Sequence, residues 1–95
     1  MTNFSRLRVQ LSDRFMRSYR MLDGLLRSQT KSAVIKFSKD PNTKSLRFKP
    51  LAGVGGIYSF RVNDNFRVLV RVVEDVGGTY YLLMDVGNHD IYSRL

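Results

Sequence analysis

The chain has 95 residues, 43% hydrophobic and 25% charged, a composition that fits a single domain over residues 1–95 and is not that of a disordered chain. It contains no cysteine, which excludes disulfides, thiolate metal sites and a cysteine nucleophile and is compatible with the cytoplasmic location that we expect. The net charge is +8, and residues 1–50 carry twelve basic and three acidic side chains. This imbalance favours a polyanionic partner over a merely solvated basic face.

The first predicted element is a strand over residues 6–11, where polar and apolar side chains alternate; no signal peptide or membrane-spanning segment is expected there. Ser12 follows as a good helix N-cap, and apolar side chains then recur at helical spacing, which predicts a first helix of about 13–23. The apolar positions are Leu7, Val9 and Leu11 in the strand and Phe15, Tyr19, Leu22 and Leu26 after it.

A second helix of about 26–39 is predicted because Gly24 interrupts the first helical pattern. It ends before Pro41, since the residue that precedes a proline disfavours helical backbone. Its apolar stripe consists of Ala33, Val34 and Phe37. The two helices are expected to form a short antiparallel hairpin.

The second half of the chain has strand patterns. Alternating segments predict strands over residues 45–51, 57–62, 66–73 and 79–86, the last being the most apolar and therefore central. The glycine-rich AGVGG separates the first two, and turns at NDN and EDVGG join the last three, which should be antiparallel. The fold class is therefore α+β: an N-terminal strand, a two-helix hairpin and an antiparallel meander of three to four strands. One face of the sheet should pack on the helices and the other should be open.

Two arginines, Arg61 and Arg67, lie on either side of the NDN turn, one on each arm of a predicted hairpin. Cross-strand neighbours can bring such residues to one face, where two guanidinium groups would form a phosphate clamp. The alternative is that they only form ion pairs, with Asp64 and Glu74 as partners. The spacing does not decide between these two interpretations.

The only histidine of the chain, His89, follows the last strand, which Gly87 ends. It is expected on a loop or a short terminal strand, where it could act as acid or base near neutral pH. Asp90 could orient the imidazole or bind backbone, and Tyr92 could place its hydroxyl beside His89 or bury its ring. A structural or surface role for His89 is the alternative.

No metal site and no cofactor are expected, because one histidine and no cysteine leave only scattered carboxylates. The GVGG segment lacks the Lys and Ser/Thr that follow the glycines of a P-loop. No membrane partner is expected either, because the only weak candidate for a basic amphipathic helix, residues 13–23, is needed for the core.

Three motifs together are characteristic of a known family. IYSFRVNDNFRVLVRVV, followed after a short turn by a strand ending in VGNHDIY, resembles the RelE/ParE superfamily of toxin–antitoxin toxins, and the upstream LRFKPLAG resembles the stretch that precedes the arginine hairpin there. The similarity spans residues 7–92, with the specific motifs within 46–92. The resemblance implies the RelE-like fold.

The resemblance also implies an activity and its residues. RelE-like members are ribosome-dependent mRNA endonucleases, so Arg61 and Arg67 would bind and stabilise the scissile phosphate. His89 would be the general acid or base of a metal-independent reaction, and Tyr92 would position the substrate. Residues that would contact the RNA backbone are Lys49, Arg47 and Arg71. Ser59 stands where some RelE-like nucleases have a lysine.

The resemblance leaves two other functions open and implies the partners. ParE-like members inhibit DNA gyrase without a catalytic residue, and a catalytically inactive RelE-fold binding protein is the third possibility. The expected partners are an acidic antitoxin, which would cover the basic sheet face, and mRNA with ribosomal RNA on the ribosome.

Overall fold

A computed structural model describes residues 8–95 as five strands, two α-helices and two 3-10 helices. The α+β class and the predicted order of strand, two helices and meander are confirmed. The elements are β1 (Val9–Leu11), α1 (Asp13–Met21), α2 (Gly24–Lys39), a short 3-10 helix (Lys44–Leu46), β2 (Lys49–Pro50), β3 (Ile57–Arg61), β4 (Arg67–Asp75), β5 (Gly78–Gly87) and a C-terminal 3-10 helix (His89–Arg94). Arg6 and Leu7 of the predicted first strand lie outside the described residues.

The five strands form one sheet in the order β1-β5-β4-β3-β2. The last four are antiparallel neighbours, as predicted, whereas β1 pairs with β5 in parallel. The prediction that the last strand is central is wrong in detail: β5 is an interior strand, but β4 lies in the middle of the sheet.

The first helix begins where the sequence predicts. The Ser12 hydroxyl accepts a hydrogen bond from the amide of Phe15 at 3.0 Å and donates one to the carbonyl of Met84 at 3.0 Å, so the N-cap also fixes α1 against β5. Leu11, predicted on the buried face of the first strand, is instead 48% exposed. It lies at the edge of the sheet, where β1 ends and α1 begins.

The second helix begins earlier than predicted, at Gly24 itself. The side chain of Asp23 accepts a hydrogen bond from the amide of Leu26 at 2.9 Å and is therefore the N-cap. A glycine in the first turn of a helix leaves it intact, so Gly24 separates the helices by beginning the second one. Only Leu22 and Asp23 connect α1 to α2.

The predicted strand over residues 45–51 is mostly wrong. Its first part is a 3-10 turn, Arg47 has left-handed backbone with φ of 49°, and only Lys49–Pro50 pairs with β3. Arg47 is the one non-glycine residue with positive φ between residues 8 and 95. Alternating polarity could not distinguish a strand from a 3-10 turn in which Leu46 is buried and its neighbours are exposed.

The core lies between one face of the sheet and the helices, and Phe37 of α2 is at its centre. Its ring stacks on Phe60 at 4.6 Å between centroids and meets Phe48 and Tyr81 edge-on at 5.0 and 5.4 Å. Fully buried aromatic groups of this size contribute the largest apolar areas of a small domain. The predicted apolar stripe of α2 is thus confirmed.

The second face of the sheet is not simply open. Ile57, Ser59 and Leu69 are 0–2% exposed although they lie on it, and cationic side chains surround them. At one end the C-terminal 3-10 helix packs against Gly87, where an added Cβ would lie 2.6 Å from a methyl group of Ile91. Residues 8–95 contain no helix long and apolar enough to cross a membrane.

Candidate functional site

The two arginines of the hairpin lie directly opposite each other. Arg61 of β3 and Arg67 of β4 are cross-strand partners, and Gly87 of β5 is the next residue in the same row. Cross-strand partners project to the same side of a sheet, about 5 Å apart at their Cβ atoms. The register therefore directs both arginine side chains to the same side of the sheet, as the hairpin predicts. We call Arg61 and Arg67 the arginine pair.

Two like charges in direct opposition repel each other, and the turn between them provides the compensation. Nη2 of Arg61 forms a salt bridge with the carboxylate of Asp64, which is the ion pair left open by the sequence. Nη1 of Arg67 donates to the carbonyl oxygens of Asn63 at 2.6 Å and Phe66 at 3.1 Å. The other suggested partner, Glu74, instead accepts a hydrogen bond from Thr79 on the adjoining strand.

The turn that carries Asp64 has a well-defined geometry. The side-chain oxygen of Asn63 accepts hydrogen bonds from the amides of Asn65 and Phe66 at 2.8 and 3.0 Å, as in an Asx turn. Its side-chain amide donates to Gln29 of α2 at 2.9 Å. The hairpin tip is therefore fixed to the second helix, and the position of the arginine pair depends on that contact.

Asp64 reports how strongly positive this end of the sheet is. Its hydrogen bond with Arg61 and the charge of that guanidinium lower the pKa of Asp64 below its usual range. The charges of Arg47 and Arg67 lower this pKa further. Three guanidinium groups thus act on one exposed carboxylate. An anion that replaced the carboxylate would experience the same field.

Two of the three predicted RNA-contacting residues lie on the second face of the sheet. Lys49 of β2 is the cross-strand partner of Ser59, and it is exposed. The position that a lysine occupies in some RelE-like nucleases is therefore buried here, but a lysine lies directly beside it. Arg71, also exposed, pairs with Ile57 four residues along β4 from the arginine pair.

The third, Arg47, reaches the same region in another way. It lies outside β2, in the left-handed position after the 3-10 turn, yet it is close enough to Asp64 to act on its pKa. A non-glycine residue in left-handed backbone costs about 1–2 kcal/mol relative to right-handed backbone. The sequence predicts Arg47 as an RNA-contacting residue, but the strand predicted over residues 45–51 does not account for its position near Asp64.

The C-terminal segment begins where the row of the arginine pair ends. His89, two residues after Gly87, is the first residue of the C-terminal 3-10 helix, not part of a loop or strand as predicted. The side chain of Asn88 caps this helix by accepting a hydrogen bond from the amide of Asp90 at 2.9 Å. The row and the register thus bring His89 to the end of the sheet that carries the arginine pair.

The sequence left two alternatives each for Tyr92 and Asp90, the neighbours of His89. Its ring lies 6.1 Å from the ring of Tyr92, one turn further along, at an angle of 49°. Asp90 uses its backbone amide and carbonyl, toward Asn88 and Ser93, so its described hydrogen bonds do not orient the imidazole. His89 is exposed and Tyr92 is half-buried, which leaves both accessible to a ligand.

One polar residue that the sequence did not single out holds this segment in place. Asp85 is completely buried in β5. Its Oδ1 accepts from Ser18 at 2.5 Å and from the amide of Val86 at 2.9 Å, and its Oδ2 accepts from Arg14 at 3.1 Å and Arg94 at 3.2 Å. Asp85 therefore links α1, β5 and the C-terminal 3-10 helix. The signal in the sequence is a single carboxylate within an otherwise apolar strand, which usually requires a charged partner when buried.

No metal-binding constellation is present among residues 8–95, in that no three His, Cys, Asp or Glu side chains cluster there. What the arrangement offers is cationic. Arg61, Arg67 and Lys49 project from the second face of the sheet, and Arg47 acts on the same carboxylate as the arginine pair. His89 and Tyr92 follow Gly87, the third residue of the row that contains the arginine pair. Such a site can bind phosphate and stabilise additional negative charge on it.

No family model and no curated protein matches the sequence. Solved structures do match the fold. An arginine double mutant of the Escherichia coli toxin RelE in the free state is 17% identical, with a TM-score of 0.68 over 94% of this chain and 93% of that chain. The YoeB/ParE toxin from Agrobacterium tumefaciens is 15% identical, with a TM-score of 0.68 over 87% and 99% of the two chains.

A third similar structure is the RelE–RelB complex of the archaeon Pyrococcus horikoshii. It is 15% identical, with a TM-score of 0.68 over 88% of this chain and 96% of that chain. The three superpositions cover 87–94% of the present chain and 93–99% of the matched chains. The chain therefore has the RelE-like fold, as its sequence motifs predict.

Proposed function

We propose that the chain is the toxin of a toxin–antitoxin pair and that it cleaves mRNA on the ribosome without a metal ion. The observation that carries this proposal is the row Arg61, Arg67 and Gly87 across three adjacent strands, with His89 two residues beyond it. This row supports a phosphate-binding site between the two arginines, which we call the phosphate seat, beside an acid–base residue. The similarity to RelE and YoeB toxins supports the toxin role.

The chemistry is that of a 2′-hydroxyl attack on the adjacent phosphodiester. The hydroxyl loses its proton to a base, its oxygen forms a bond to phosphorus, and the bond from phosphorus to the 5′-oxygen breaks. The products are a 2′,3′-cyclic phosphate and a 5′-hydroxyl that has gained a proton from an acid. The arginine pair stabilises the extra negative charge that develops on the phosphoryl oxygens.

His89 performs one of the two proton transfers, because it is the only imidazole of the protein and imidazole is the side chain most often used for acid–base catalysis. Tyr92, whose ring lies 6.1 Å from that of His89, positions the substrate. Lys49, Arg47 and Arg71 contact the RNA backbone. The other proton transfer falls to water or to the ribosome, which gives a chemical reason for dependence on the ribosome.

The proposed partner is an acidic antitoxin that covers the second face of the sheet. Its support is the charge of this chain, together with the antitoxin partners of similar toxins such as RelE of Pyrococcus horikoshii. Carboxylates of such a partner would replace Asp64 at Arg61 and so block the phosphate seat. A complex in which the arginine pair stays solvent-exposed would contradict this part of the proposal.

One observation favours a second candidate, a ParE-like gyrase inhibitor or an inactive binding protein. Both guanidinium groups of the arginine pair already have partners within the hairpin, and no hydrogen bond to the imidazole of His89 occurs within residues 8–95. A binding protein needs no oriented histidine. The same test distinguishes the candidates.

The test is induction of the chain in bacteria, with mapping of transcript ends and of DNA breaks. If the chain is a nuclease, new mRNA ends should appear within codons of translated messages. These ends should be absent when the Arg67→Ala or the His89→Ala variant is induced. Arg20→Ala is the matched control, since it removes the same charge from the exposed surface of α1 and should retain most of the toxicity. Intact mRNA with gyrase-dependent DNA breaks would replace the nuclease with the inhibitor. Full toxicity of both variants would refute the catalytic assignment.

A further inference from the structure

A polar cavity lies beside the arginine pair, between α2, the first 3-10 turn and β3. It has a volume of about 230 Å³. Its apolar lining consists of Ala33, Leu46 and Val62. The polar lining consists of Ser28, Gln29, Ser32, Lys36, Ser45 and Arg61. No acidic side chain belongs to this lining.

The lining consists of hydrogen-bond donors. Lys36 and Arg61 are cations, and the three serines contribute hydroxyl groups. Gln29 uses its carbonyl oxygen to accept from Asn63, so its NH2 group remains available as a donor. A donor-rich cavity with two positive charges and no carboxylate is suited to an anion.

Arg61 belongs to the cavity and to the arginine pair at once. Its Nη2 binds Asp64, and no acceptor among residues 8–95 occupies its Nε or Nη1. The cavity therefore adjoins one member of the arginine pair. An extended ligand with a phosphate between the two arginines could place its next charged group there.

The size of the cavity restricts that ligand. About 15 Å³ suffices for one water molecule, whereas pockets for drug-sized ligands begin at about 300 Å³. The observed volume lies between these limits and is adequate for a phosphate group with part of its sugar. A base stacked on aromatic side chains is not expected, since no aromatic residue lines the cavity.

We propose that this cavity is a second phosphate subsite, which holds the RNA phosphate adjacent to the one bound by the arginine pair. Lys36 provides its charge, and the serine hydroxyls and Gln29 provide its neutral donors. This inference rests on the proposed function for the identity of the ligand, because RNA supplies phosphates in succession. It adds α2 to the nucleic-acid surface.

The test measures RNA binding as a function of salt. The probe is a short single-stranded RNA in which 2′-deoxy sugars prevent cleavage, labelled for fluorescence anisotropy. Each phosphate contact to a single strand contributes about 0.7 to the slope of log K against log salt. This slope is negative, so Lys36→Gln should make it shallower by about 0.7.

The matched control is Lys39→Gln. Lys36 and Lys39 both lie in the last turn of α2, but only Lys36 lines the cavity, so the control removes the same charge from the same helix end. It should leave the slope close to that of the wild-type protein. Equal slopes for the two variants would overturn the subsite. It would also be overturned if Lys36→Gln weakened binding of a hexaglutamate peptide but did not change the binding of RNA.

This experiment separates the subsite from the nuclease. If wild-type protein cleaves mRNA on the ribosome but Lys36→Gln and Lys39→Gln bind the RNA probe alike, the subsite is wrong and the nuclease stands. If no mRNA is cleaved but only Lys36→Gln loses the salt slope, the cavity binds phosphate and the nuclease is wrong.

Discussion

The substitution Asp85→Asn tests whether one buried carboxylate holds the C-terminal 3-10 helix in place. Asparagine keeps the shape, and its oxygen can still accept from Ser18 and the amide of Val86. Its NH2 group, however, would replace the oxygen that accepts from Arg14 and Arg94. Two charge-assisted hydrogen bonds become contacts between donors.

The magnitude follows from the burial of the partners. A hydrogen bond to a charged group contributes about 1.5–3 kcal/mol. The side chains of Arg14 and Arg94 are 37% and 50% exposed, so both regain water when the bond is lost, and the lower value applies to each. The expected loss in free energy of unfolding is therefore about 3 kcal/mol, or about 12–24 °C in the thermal midpoint.

Urea unfolding followed by circular dichroism measures this loss. An unchanged slope of the unfolding free energy against urea concentration would show that the variant and the wild type expose the same surface on unfolding. Asp75→Asn is the matched control. Asp75 likewise accepts two hydrogen bonds from guanidinium nitrogens, here both of Arg8, Nη1 and Nη2 at 3.1 Å each, but it lies at the protein surface. It should shift the midpoint far less. Equal shifts for the two variants would refute the argument that burial decides the effect.

Three further substitutions test the structure. Gly87→Ala would place a Cβ 2.6 Å from a methyl group of the C-terminal 3-10 helix and should cost about 1–3 kcal/mol in urea unfolding, whereas Gly55→Ala, in open space, should not. Phe37→Ala should cost about 3–5 kcal/mol by the same measurement, because the side chain is fully buried. The lowered pKa of Asp64 means that its contribution to stability is present above its ordinary pKa of 3.8 and is lost as the pH falls. On acidification below about pH 4, the Asp64→Asn variant should therefore lose less free energy of unfolding than the wild type. At neutral pH it should bind RNA more tightly, because Arg61 is freed. An unchanged RNA affinity would count against Asp64 as the competing anion.

Much of the fold was readable from the sequence because its signals are local. Period-two alternation identified β3, β4 and β5, and the NDN turn fixed the register that places Arg61 opposite Arg67. Ser12 was recognised as an N-cap because a single hydroxyl at a helix start has one main use. Family motifs added the expected fold, and the similar structures confirm it.

The sequence failed where local polarity had more than one structural meaning. The segment that includes Arg47 alternates like a strand but forms a 3-10 turn with left-handed backbone. The sequence predicts a loop or a short strand at His89, whereas the cap provided by Asn88 begins a 3-10 helix there. In both segments the conformation is set by hydrogen bonds between residues only two or three positions apart. Residue propensities alone do not decide between a strand, a loop and a 3-10 turn over so short a stretch.

The α+β order, the positive charge and the presence of two arginines on one hairpin follow from the amino-acid sequence alone. The groups that these charges contact depend on the packing of the folded chain. The buried Asp85, the cavity at Lys36 and the convergence of Arg47 on Asp64 all join residues more than fifteen positions apart. Such contacts depend on how helices and sheet pack, and the packing is a property of the whole core that no local pattern encodes.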